Sequence, residues 1–171
     1  MPISLYQASI PTFIGMLGNL STWLDKAEAH AQAAGTPPSI LTEARLAPDM
    51  HPFTRQIQIA SDAAKGAGAR LAGAEPPAFA DEETTLAELK ARVAKTVAYL
   101  KTLAPASIDG HEERSIELKI PNRTLTFSAT DFLFQFALPN FYFHIVTAYG
   151  LLRGQGVPLG KMDFLTGGRM P

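Results

Sequence analysis

Residues 131–153 read Asp-Phe-Leu-Phe-Gln-Phe-Ala-Leu-Pro-Asn-Phe-Tyr-Phe-His-Ile-Val-Thr-Ala-Tyr-Gly-Leu-Leu-Arg, the longest apolar run in the chain, and hold five of its ten Phe. At a helical period, Leu133, Ala137, Asn140, His144, Ala148 and Leu151 share one stripe, with Phe141 and Thr147 at its edges. The opposite stripe carries Gln135, Leu138, Pro139, Tyr142, Val146 and Tyr149. A helix that is apolar on both faces must be covered on both. One face is therefore expected in a bundle core and the other, through Leu138, Tyr142, Val146 and Tyr149, in a homodimer interface. Pro139 lacks an amide donor in mid-run and predicts a bend there.

With 171 residues the chain can bury a core without staples, and one domain is the natural count. It has no Cys, which excludes disulfides, thiolate metal sites and a Cys nucleophile. The formal charge is −1, with Lys and Arg scattered among Asp and Glu, so no nucleic-acid footprint is expected. Asn140, His144 and Pro139 interrupt the only run long enough to suggest a membrane span. The first residues lack the basic and apolar regions of a signal peptide, so a soluble cytoplasmic protein is expected.

Three further helices are predicted. The first covers residues 3–33, with Tyr6, Ile10, Phe13, Leu17, Leu20, Leu24, Ala27 and Ala31 as its core stripe and Gly35 as its stop. A short helix over 39–46 follows, with Thr36 as N-cap and Pro37 at its first turn. The second long helix, 52–72, has a core stripe of Phe53, Ile57, Ala60, Ala64, Ala67 and Leu71, with Gln56 at its edge and Asp62 opposite. Residues 73–80 form an exposed linker. The third helix opens with a capping box, Thr85 and Glu88, and buries Leu86, Leu89, Val93, Val97, Leu100 and Leu103; Lys90, Arg92, Lys95 and Lys101 are placed on a solvated face.

The period then changes from helical to alternating at 115–120 and again at 124–127, around Pro121-Asn122-Arg123, which predicts a β-hairpin. Ser128 is the expected N-cap of the last helix, and Gly154 and Gly156 its stop. Residues 157–165 carry enough apolar side chains to dock, and 166–171 are expected to form a flexible tail. The sum is an all-α four-helix bundle over 1–165, with a short extra helix and a hairpin between helices 3 and 4.

No phosphate loop, nucleophile elbow or H-E-x-x-H helix is present. The four His are 30, 51, 111 and 144, and no two share one helix face at i, i+4. His30 suits the C-terminal dipole of the first helix. Asn140 and His144 do have the i, i+4 spacing and are expected to form a hydrogen-bonded core pair.

The opening I-S-L-Y-Q-A-S-I-P-x-F, the segment P-D-M-x-P-F-x-R-Q-I-Q-I-A-S-D-A-A-K-G at 48–66 and A-L-P-N-F-Y-F-H at 137–144 resemble a bacterial family within the DinB/YfiT-like superfamily of four-helix bundles. The resemblance implies that fold, frequent homodimers, and a superfamily metal pattern of three His: one on the second helix and two spaced four apart on the fourth. His144 fills one place, but position 148 is Ala and position 140 is Asn, and only His51 is available near the second helix. Two function classes follow. In the first the protein is a homodimeric binding bundle without the three-His site, with an inter-helix pocket for a small molecule drawn from His144, Asn140, Gln56, Thr147 and Tyr6. In the second it is a metal-dependent transferase or hydrolase, with a divalent metal held by His144 and His51. Convergence of His51, Gln56 and His144 is the geometric requirement of the second.

Overall fold

The computed structural model describes residues 4–168. Helix α1 (Leu5–Ala34) is capped by Ser4, whose hydroxyl accepts from the Gln7 amide. It ends at Gly35, which takes the left-handed conformation expected of a helix stop. The predicted start at residue 3 lies outside the described residues. The short helix is only α2 (Ser39–Thr42), and Pro38 occupies its cap position without a side-chain bond. Thr36 is not its N-cap, because the Thr36 amide returns to Ala31 O (3.1 Å) and closes α1 instead. Helices α3 (Phe53–Leu71) and α4 (Leu86–Leu100) follow. The capping box of α4 is present, and amide donation from Thr84 and then Thr85 lowers the Glu88 carboxyl to about 2. Strands β1 (Ser115–Ile120) and β2 (Arg123–Ser128) pair antiparallel with Ile120 opposite Arg123. The turn between them uses Asn122 at φ 73°, a residue that tolerates this region.

The last long helix is continuous but not uniform. It runs as α5 (Ala129–Asp131), a π-helical stretch (Phe132–Ala137) and α6 (Leu138–Gly154). The Leu138 amide bonds Leu133 O, five residues back, immediately before Pro139. A wider turn there accommodates a residue that lacks a donor and crowds the carbonyl four positions earlier. The extra residue also rotates everything after it. Buried positions run Leu133, Ala137, Phe141, Ile145, Ala148 and Leu152, so the core stripe advances by one residue beyond Ala137. Asn140 is consequently only half-buried, and His144 sits at the stripe's edge.

Cross-contacts fix the directions. Phe13 meets Phe141 and Trp23 meets Tyr149, so α1 and α6 are parallel. Gln56 meets His144, whereas Ala63 and Ala67 share a cavity with Phe132, Phe136 and Asn140, so α3 and α6 are antiparallel. Ser61 meets Thr96 and Gly68 lies against Leu100, so α3 and α4 are parallel. The bundle is therefore up-down-down-up, and residues 72–85 must cross back along its length. Gly68 marks the tightest approach: a Cβ there would stand 2.8 Å from Leu100 and Leu103 and 3.2 Å from Ile10.

The crossing segment is held by Arg92, which corrects its placement on a solvated face. Arg92 is 3% exposed and reaches Asp62 (2.8 Å), Asp81 (3.0 Å), Glu83 (3.1 Å) and the Ala80 carbonyl (2.9 Å). Phe79 lies against Lys65, Arg92 and Lys95. Among the described residues, Arg92 Nε is the only buried side-chain polar atom without a partner. Asp62, on the face of α3 opposite its core stripe, keeps partial exposure while binding both Arg92 and Lys65.

The C-terminal segment docks. Val157 and Leu159 are buried, and α7 (Lys161–Thr166) accepts the Trp23 indole N–H at Asp163 O (2.9 Å). Gly167 caps α7 in the left-handed region, so residues 166–168 belong to this element; 169–171 lie outside the described residues. No helix among the described residues is long and apolar enough to cross a membrane.

Candidate functional site

His144 faces the first turn of α3. Its Nδ1 lies 2.7 Å from Gln56 Oε1. The Gln56 amide Nε2–H donates to the carbonyl oxygen of His51 (3.1 Å), an atom that can only accept. That bond orients the amide and turns Oε1 toward the ring, so His144 carries its proton on Nδ1 and donates it to Gln56. Nε2 is left with a lone pair. Among the described residues it makes no hydrogen bond, yet it is not a fully enclosed unpaired atom, so it reaches solvent although the residue is 8% exposed. Burial, then the positive influence of His51, then that of Arg55 push the His144 pKa below its ordinary value. The ring is therefore neutral near pH 7: an acceptor, with Phe143 packed edge-on against it at 5.1 Å.

The sequence-derived candidates separate into three groups. His51, Gln56 and His144 meet at one end of the α3–α6 seam, His51 through its backbone carbonyl, its side chain being exposed. Asn140 does not bond His144, whose Nδ1 is taken by Gln56; it lines a separate cavity with Asp62 and Arg70. Thr147 is buried, and its hydroxyl donates to Phe143 O (2.7 Å), a local helix bond. Tyr6 lies in the first turn of α1, where Ser4 and the Tyr6 amide donate to Asp109. That is the bundle end where Ile10 approaches Gly68, opposite to Gln56. A cavity of 680 Å³ lies elsewhere again, between α1, α2 and α4, against Leu24, Pro37, Leu86 and Glu28.

A three-His metal set does not fit these residues. Position 148 is a buried Ala, the His51 side chain is exposed, and no group of three His, Asp or Glu side chains that could hold a metal ion occurs among the described residues. What the arrangement supplies is an oriented neutral imidazole with one open nitrogen.

The helical pattern put Arg92 on a solvated face and gave Arg70 no role. Arg92 could have been found: it stands three residues after Leu89 and four before Thr96, on the edge of the α4 core stripe.

The outer face of α6 also differs from expectation. Tyr149 is covered within the chain, packed on Trp23 and Phe164 at 5.6 and 5.7 Å. Phe143 and Val146 are the exposed members, at 57% and 52%.

An up-down-down-up bundle with its histidine on the last helix, facing the first turn of the second, is a DinB-like four-helix bundle. The chain is similar to a DinB family member from Shewanella denitrificans, known from a crystal structure, at 41% identity and a TM-score of 0.87, over 98% of this chain and 93% of that one. It belongs to the DUF1993 family, a domain of unknown function, whose profile matches residues 5–165. No curated protein matches it.

Proposed function

We propose that this protein is a cytoplasmic, homodimeric binding bundle without a complete three-His metal site, in which His144 offers a neutral acceptor to a small ligand at the α3–α6 seam. The observation that carries the reading is the His144–Gln56–His51 relay. An amide oxygen accepts one proton and carries no full charge, so unlike a carboxylate it does little to stabilise an imidazolium. That favours recognition over acid–base chemistry. Long-range nitrogen NMR of His144 tests it: the Nδ1–H tautomer is expected, unchanged by a chelator, and an Nε2–H tautomer would overturn it.

The dimer reading rests on Phe143 and Val146, flanked by Leu138 and Tyr142. Residues 132–152 contain no Asp, Glu, Lys or Arg. A two-fold interface sets a patch against its own copy, and a charge-free patch meets no like charge there. The competing reading, a metal-dependent transferase or hydrolase, draws on the approach of Gln56 and His51 to His144 and is decided by metal content.

A further inference from the structure

Farther along the α3–α6 seam, where the hairpin closes it, lies a cavity of 230 Å³. Phe132, Phe136, Ile59 and Leu118 make its walls apolar, and three polar side chains line it: Asp62, Arg70 from the last turn of α3 and Asn140 from the first turn of α6.

Arg70 folds back along its own helix. A Cβ at Gly66 would stand 2.7 Å from its Nη1, so the glycine at that position is what admits the guanidinium. Nη1 donates to Gly66 O (3.0 Å), one use of the five N–H groups a guanidinium offers. Arg70 is half-buried and forms no ion pair among the described residues; Glu75 attracts it from longer range. Asp62 lines the same cavity but is already engaged by Lys65 (2.9 Å) and Arg92 (2.8 Å). The Asn140 amide makes no hydrogen bond among the described residues and is half-buried. On its other side Arg70 borders a 540 Å³ polar cleft with Arg114, Lys119, Glu75 and Glu117. Arg114 is taken up there by the carbonyls of Leu71 and Ser107.

A half-buried guanidinium without a carboxylate partner, an amide without a partner and aromatic walls together select one kind of ligand. We propose that this cavity binds a small organic carboxylate with an apolar body: Arg70 pairs with the carboxylate, the Asn140 amide donates to one of its oxygens, and the hydrocarbon packs on Phe132 and Phe136. A planar guanidinium matches a carboxylate with two parallel bonds. Drug-sized ligands occupy about 300–1,000 Å³, so a cavity below that range suits a smaller molecule. The inference rests on the reading of the protein as a small-molecule binder, but not on His144.

The test is an NMR titration of the full chain with benzoate, using benzamide and inorganic phosphate as comparators. Benzoate is expected to shift the Arg70 Nε–H and the Asn140 side-chain amide saturably. Arg70→Gln should weaken it at least about tenfold, the loss of one charge-assisted pair. Ala63→Leu keeps the charge and fills the cavity, and should weaken it similarly, which covers the case in which Arg70→Gln fails to fold. His144→Ala should leave it unchanged, and benzamide and phosphate should bind at least about tenfold more weakly. Absence of saturable shifts at both groups, equal binding of phosphate, or benzoate affinity indifferent to both Arg70→Gln and Ala63→Leu would overturn the proposal. Benzoate binding lost in His144→Ala but kept in Arg70→Gln would overturn this site and leave the binder reading standing.

Discussion

His144 Nδ1 and Gln56 Oε1, 88 positions apart in the chain, lie 2.7 Å from each other. That bond joins α6 to the first turn of α3 and fixes which nitrogen of His144 is open. Its first consequence is in titration. Burial and two neighbouring cationic groups hold the folded His144 below the ordinary imidazole value of about 6.5. The unfolded chain therefore binds this proton first as pH falls. Stability that is fully present above about pH 6.5 is lost progressively as pH drops toward and through the lowered folded value. Proton NMR should show His144 titrating below that value, and urea midpoints of His144→Gln should lack the corresponding pH dependence. A His144 that titrates at or above 6.5 would contradict the assignment.

Arg92 is the keystone of the crossing segment. Arg92→Ala leaves Asp62, Asp81 and Glu83 without their shared cation. Removing one partner of a buried pair costs about 3–5 kcal/mol, and the partial exposure of these carboxylates puts the expected loss nearer 2–3 kcal/mol. Arg92→Lys should not restore it, since one ammonium cannot span three carboxylates and a carbonyl. Urea unfolding measures both, and a loss under half a kcal/mol would deny Arg92 this role.

The C-terminal helix hangs on Trp23. Trp23→Phe keeps the aromatic contacts with Tyr149 and Phe164 but removes the indole donor to Asp163 O. The expected loss is about 1 kcal/mol, one buried hydrogen bond. Amide exchange should accelerate first in α7, and uniform acceleration across the bundle would show that α7 is not a separate unit.

The exposed face of α6 sets the assembly state. Light scattering at micromolar concentration should give a dimer mass, and Val146→Glu should give a monomer with unchanged circular dichroism. A wild-type monomer would remove the dimer from the account.

Most of the fold was legible because each element announces itself locally. The Thr85–Glu88 capping box, Gly35 and the alternation around Asn122 all appear where their residues put them. The stripe of the last helix was misaligned because Pro139 is accommodated by a wide turn before it, not by a simple bend, and one added residue moves every later side chain. That single shift turned Asn140 off the core stripe and left His144 at its edge, where Gln56 takes its Nδ1. Gln56 was visible only as an edge position; its partner lies 88 residues away, and no local spacing encodes such a pairing. Arg92 was misplaced because exposure is the default for Arg, and only the packing of α3 and of the crossing segment against α4 brings Asp62, Asp81 and Glu83 to it.

The most direct measurement is the metal content of tag-free protein by elemental analysis, alongside His144→Ala. With no second and third ligand grouped with His144 among the described residues, no stoichiometric metal is predicted in either. Stoichiometric metal in the wild type that disappears in His144→Ala would contradict the proposed function and place the protein among metal-dependent enzymes.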